Sequence, residues 1–144
     1  MITQRRLTEE EINELIKTAP DSETRNLKKY LDEYGVSAYK FFEGAGKDHF
    51  GLVSDDRPIY LAVLIENTDH ENEFWTVVNS NVKEIVSLCK YSKRELRKWT
   101  KKYGDIYATM EKGNLENAKW TEWLGFKQVS SDNSTITFKI KGDS

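Results

Sequence analysis

The sequence predicts an α/β (α+β) fold built on a mixed sheet with helices on both faces. Three observations carry that expectation. Apolar residues recur at helical spacing in several stretches. Two apolar runs, Ile59 to Ile65 and Ile106 to Met110, read as strands, and the first has the length and composition of one buried on both faces. Hairpin turns fall in the middle and at the end of the chain, so strands and helices are interspersed.

The elements follow in order. Ile2 to Leu7 is short and β-compatible. Thr8 has Glu11 three residues on, a capping box that opens a helix with Ile12, Leu15, Ile16 and Ala19 on one face. Pro20 ends it. Leu27, Tyr30, Leu31 and Tyr34 repeat the spacing, and Gly35 stands as a C-cap. Residues 36–48 have no clear period, and Gly44 and Gly46 mark a turn. Phe50 to Ser54 is a strand, and Asp55-Asp56-Arg57-Pro58 turns it into the Ile59–Ile65 strand. Phe74 to Val78 is β-rich. Val82, Ile85, Val86 and Cys89 return to helical spacing. Ser92 with Glu95 forms a second capping box after a tight Lys90-Tyr91 turn, opening a separate helix that carries Leu96, Trp99, Thr100 and Tyr103 and closes at Gly104. After the Ile106–Met110 strand, Asn114 caps a helix with Trp120, Trp123 and Leu124 that Gly125 ends. Lys127 to Ser131 and Thr135 to Ile140 make a closing hairpin over Asp132-Asn133-Ser134.

Composition narrows the classes. At 144 residues with 38% hydrophobic and 32% charged positions, one domain spanning residues 1–144 is expected. Six Phe, seven Tyr and four Trp supply buried area where aliphatics are thin. No apolar run reaches the ~20 residues of a membrane span. Met1 to Arg6 lacks a signal-peptide core, so a cytoplasmic protein without a membrane partner is expected. Cys89 has no disulfide partner, and no Cys/His cluster has zinc spacing, so no metal is expected. Cys89 falls on an apolar helix face, as a buried thiol would.

The net charge of −2 is unevenly spread. Residues 41–80 carry 2 basic and 8 acidic side chains, whereas residues 81–104 carry 8 basic and 2 acidic. Ser92, Lys93 and Arg94 would give free helix N–H groups beside two cations, a setting for an anion. Glu66 follows the buried run Ile59–Ile65 and Glu73 precedes Phe74. Burial at such strand ends can raise a carboxylate toward the range of a general base. Tyr91, Tyr103 and Tyr107 are possible acids. The basic block also fits nucleic acid, but Trp99 and Tyr103 belong to an apolar stripe and the pI is near 5.8, so nucleic acid is not an expected partner.

The segment Asp105 to Asn114, followed by Leu115 to Lys127, resembles the second half of a GNAT N-acetyltransferase. That family has a strand, an Asn, and a helix ending in Gly-Phe eleven residues later, as Asn114 and Gly125-Phe126 stand here. Phe74 to Val78 and a helix pair over 82–103 resemble, more narrowly, acetyltransferase-like proteins of short-tailed bacteriophages. The resemblance implies a mostly antiparallel sheet of six to seven strands with about four helices. It implies transfer of an acetyl group from acetyl-CoA to an amine of a small molecule or protein. It places acetyl-CoA against the backbone of Val77, Val78 and Asn79, its pyrophosphate at Ser92, Lys93 and Arg94, and a cofactor contact at Asn114, with Glu66 or Glu73 activating the amine. The family's glycine-rich phosphate loop is matched by the glycine-free Lys90 to Glu95, and its usual acid tyrosine by Thr121. These departures suit an alternative, a non-catalytic GNAT-fold phage protein that binds virion or host proteins.

Overall fold

The computed structural model describes residues 2–19, 28, 31–33, 35–66, 70–79, 85–113 and 115–142. Its strands are β1 (Ile2–Arg5), β2 (Gly46–Ser54), β3 (Arg57–Ile65), β4 (Glu73–Val78), β5 (Ile106–Glu111), β6 (Lys127–Ser131) and β7 (Thr135–Ile140). Four helices are described: α1 (Glu9–Thr18), α2 (Ala38–Ala45), α3 (Ile85–Tyr103) and α4 (Leu115–Trp123). The strands order as β1-β2-β3-β4-β5-β7-β6 in one seven-stranded sheet. The expected α/β class and mixed sheet are both present. By contact density the chain divides into two units, residues 1–65 with 75–88, and residues 66–74 with 89–144.

In the first unit, β1 and β3 flank β2 in antiparallel register. The β2–β3 hairpin turns on Asp55 and Asp56, whose φ values of 50° and 65° give the twist that suits a two-residue loop. Residues 59–65 are at most 1% exposed, as a strand covered on both faces requires. One face carries Leu61, Val63 and Ile65 into a core with Ile12, Leu15 and Ile16 of α1 and Ala38 and Phe42 of α2. Val77 and Trp75 of β4 join it, and Trp75 stacks on Phe41 at 5.8 Å and 24°. Gly51 permits a close approach here, because a Cβ at that position would overlap the Leu7 side chain.

Two sequence expectations change in these regions. Residues 38–45 are a helix rather than part of a turn. Ser37 caps α2 by accepting the Lys40 N–H at 3.3 Å, and burial of Ala38 and Phe42 outweighs the propensity cost of Gly44, about 1 kcal/mol. β2 therefore starts at Gly46, four residues before Phe50. Of the helix expected over Leu27 to Tyr34, Leu27, Tyr30 and Tyr34 lie outside the described residues, as does Pro20. Gly35 still donates its N–H to Leu31 O at 2.8 Å.

In the second unit, β5 and β6 flank β7 in antiparallel register. Phe74 packs edge-on against Trp99 of α3 and stacks with Phe126 at 5.8 Å. Asn72, 3% exposed, donates from its amide to Tyr103 O and Asp105 O, both at 3.0 Å, and so closes the end of α3. Gly104 (φ 92°) makes the turn from α3 into β5, a backbone conformation that side chains disfavour.

The largest correction concerns α3. It runs unbroken from Ile85 to Tyr103, with no turn at Lys90-Tyr91 and no helix start at Ser92. Ser92 is fully buried on the face that also buries Leu88, Leu96 and Trp99. Its small side chain fits an apolar stripe, so the capping-box pattern is coincidental. Cys89 is half-buried rather than enclosed.

Candidate functional site

β4 carries three of the expected site residues, Glu73, Val77 and Val78, and Asn79 follows it. In an extended strand, successive peptide groups point to opposite edges. The Asn79 N–H donates to Ile59 O at 3.0 Å, so the peptide groups of Asn79 and Val77 face β3. Those of Thr76 and Val78 face the other edge. The alternation holds at the strand's start, where Asn72 O accepts the Tyr107 N–H at 2.9 Å. Of Val77, Val78 and Asn79, only Val78 thus presents its peptide groups away from β3. Thr76, which sequence reasoning passed over, joins it. The signal that finds it is strand parity, which needs the register of one hydrogen bond.

The two expected carboxylates differ. Glu66 is exposed just after β3. Glu73 is 6% exposed at the start of β4 and lies in parallel register with Tyr107 of β5, the single register pair between these strands. Its neighbours form a polar cluster. The His70 ring stacks on Tyr107 at 4.2 Å and 9°. Lys139 Nζ lies 5.5 Å from the Tyr107 ring centre and pairs with Asp105 Oδ2 at 3.1 Å. Asp105 also accepts the Gly142 N–H at 2.7 Å. That backbone bond, with Lys139, lowers the Asp105 carboxyl from its ordinary value, while Asp105 raises Lys139. Sequence separates His70, Tyr107 and Lys139 by up to 69 positions, and only the β4–β5–β7 pairing brings them together.

Lys93 and Arg94 are exposed on α3, whereas Ser92 points into the core, so the three do not converge on one point. The described part of α3 begins at Ile85, seven residues before Ser92. Asn114 lies outside the described residues. No group of three or more His, Cys, Asp or Glu among the described residues could hold a metal. No helix among them is long and apolar enough to cross a membrane.

No protein-family model matches the sequence, and neither does any curated protein. Solved structures do match in shape. N-acetyltransferase PseH of Campylobacter jejuni, solved with acetyl coenzyme A, aligns over 99% of this chain and 100% of its own at 19% identity, with a TM-score of 0.65. The PaiA N-acetyltransferase of Thermoplasma acidophilum, solved with coenzyme A, aligns over 98% and 99% at 16% identity and a TM-score of 0.67. A GNAT-family acetyltransferase of Bacillus anthracis aligns over 98% and 95% at 16% identity and a TM-score of 0.70. The chain has the GNAT fold.

Within the GNAT fold, the expected element from strand to Gly-Phe is present as β5, α4 and Gly125-Phe126. Gly125 (φ 106°) turns the chain, and the Phe126 N–H donates to Thr121 O at 3.3 Å. Thr121 is 6% exposed, so a buried hydroxyl stands where the resemblance puts a phenol.

Proposed function

We propose that the protein is an acetyl-CoA-dependent N-acyltransferase. The observation that carries this reading is the outward-facing peptide edge of β4, Thr76 and Val78, in a chain with the GNAT fold over nearly its whole length. Acetyl-CoA, as substrate, brings an activated thioester carbonyl. The pantetheine amides pair with the peptide groups of Thr76 and Val78. The diphosphate is assigned to the N-terminal end of α3, where helix N–H groups favour an anion. It is not assigned to buried Ser92, and Lys93 and Arg94 contribute positive charge only. Asn114 keeps its proposed contact with the donor.

The acceptor is an amine of a small molecule or protein. Its nitrogen attacks the thioester carbonyl, a C–N bond forms, the C–S bond breaks, and coenzyme A leaves as the thiolate, which takes a proton from water while Glu73 returns the amine proton to solvent. Glu73 is the base that takes the amine proton, because it is the buried carboxylate of the expected pair. Glu66, exposed, is a candidate for contact with the acceptor. Tyr107 positions Glu73 from the neighbouring strand.

The finer assignment to bacteriophages rested on residues 74–78 and on a helix pair over 82–103. Residues 85–103 are one helix, so residues 74–78 alone support it. A second reading, a GNAT-fold module that binds virion or host proteins without catalysis, is favoured by Thr121.

The test is release of free coenzyme A thiol from acetyl-CoA with a panel of polyamines, amino sugars and peptide N-termini. Mass spectrometry of the acceptor should show gain of one acetyl group. Glu73→Gln should lower kcat by roughly 100-fold or more while leaving acetyl-CoA affinity unchanged. Acetyl-CoA binding without transfer to any amine would favour the binding module.

A further inference from the structure

Residues Lys90, Lys93, Arg94, Arg97, Lys98, Lys101 and Lys102 are all exposed on α3. Their spacing is i, i+3, i+4, i+7, i+8, i+11 and i+12, which is one helical face. The opposite face buries Leu88, Ser92, Leu96 and Trp99. Because α3 is unbroken, the cations form one stripe of about 18 Å rather than two short groups.

Five of the pairs stand at i,i+4 with like charge, an arrangement that destabilises a helix on its own. Among the described residues, the stripe holds one ion pair, Lys98 with Glu95 at 3.3 Å. Arg94 lies over the Tyr91 ring and Lys102 over Tyr103, both at 5.2 Å. Among the described residues, Lys90, Lys93, Arg97 and Lys101 pair with no carboxylate. A chain with a net charge of −2 that concentrates seven cations on one helix face has a surface matched to a polyanion.

We propose that this face of α3 binds the sugar–phosphate backbone of a nucleic-acid duplex without reading its sequence. Seven cations over this length exceed what one coenzyme diphosphate neutralises. A duplex presents phosphates at the required density, and Arg94 and Arg97 can each take a phosphate through two N–H groups. An anionic bilayer suits the stripe less, because the one large apolar side chain that α3 exposes among the described residues, Val86, precedes the stripe, and residues 89–103 expose none. The acidic pI of 5.8 that argued against nucleic acid averages over the whole chain and hides this segregation.

The experiment is fluorescence anisotropy of the full-length protein with labelled random-sequence duplexes of about 20 base pairs, DNA and RNA. Log affinity should fall linearly with log salt, with a slope of about −4 to −5. Combining Lys90→Glu, Arg97→Glu and Lys101→Glu should weaken binding at least tenfold and reduce the slope by about 3. The glutamine triple at the same positions should lose binding in the same direction, with an unchanged circular-dichroism spectrum. The control triple Lys112→Glu, Lys119→Glu and Lys127→Glu carries the same charge change elsewhere and should bind as the native protein does. Absence of binding at low salt overturns the proposal, as does an equal loss in the control triple. Equal or tighter binding to polyglutamate, or to vesicles of phosphatidylglycerol and phosphatidylcholine, also overturns it.

Discussion

The Glu11 carboxylate closes the capping box on Thr8 and takes two guanidinium nitrogens of Arg5, at 2.7 and 2.8 Å. The Arg5 bonds, assisted by the Thr8 N–H, lower its pKa from 4.5 to about 2. Glu11 therefore contributes stability that is present above pH 4.5 and lost as pH falls toward 2. With Arg5 partly exposed the loss should be about 1 kcal/mol, and Glu11→Gln should remove it from the pH dependence of urea unfolding. His49 acts at higher pH. Arg6 Nη2 donates to its Nε2 at 2.9 Å, which leaves the proton on a buried and unpartnered Nδ1. Burial, then the Arg6 charge, lowers the imidazole below its ordinary 6.5. The unfolded chain accordingly takes up this proton first, and stability should decline as pH falls below 6.5. His49→Phe should flatten that decline in the same titration. Gly51 is a third point. Gly51→Ala would force Leu7 out of its place and should cost about 1–3 kcal/mol, read as a lower Tm.

At the scale of elements, the strands and most helices were legible because each obeyed one local rule. Ile59 to Ile65 is apolar at every position because both faces are covered, and β6 and β7 match their expected bounds. The Thr8–Glu11 box is a real N-cap, whereas the same pattern at Ser92–Glu95 sits in the middle of α3. Local chemistry cannot tell the two apart. What decides is whether neighbouring turns bury a face, and Leu88, Ser92, Leu96 and Trp99 do. Ser92→Pro separates the readings directly. In mid-helix it removes a hydrogen bond and clashes with the preceding turn, so it should cost about 3 kcal/mol or prevent folding. At a helix start it would cost far less. Chemical denaturation of the variant gives the answer. α2 was missed for the converse reason, because Gly44 and Gly46 masked an apolar face that packing rewards.

At the scale of the whole molecule, element order foretold the GNAT fold, and the solved structures share it at 12–19% identity. The site was less legible. Backbone pairing along β4 leaves no side-chain signature, and the cluster around Tyr107 draws on residues from three strands and a loop. The sequence singles out Glu73 because it borders an apolar strand, while proposing Thr76 requires the strand's parity. The central claim is that the Thr76 and Val78 edge of β4 receives acetyl-CoA. The most direct measurement is a titration of the isotopically labelled protein with acetyl-CoA, followed by NMR of backbone amides. Saturable shifts are expected at the Thr76 and Val78 amides, with slowed hydrogen exchange there and little change at Asn79, whose N–H is already bonded to Ile59 O. A titration to millimolar acetyl-CoA that moves neither amide would contradict it.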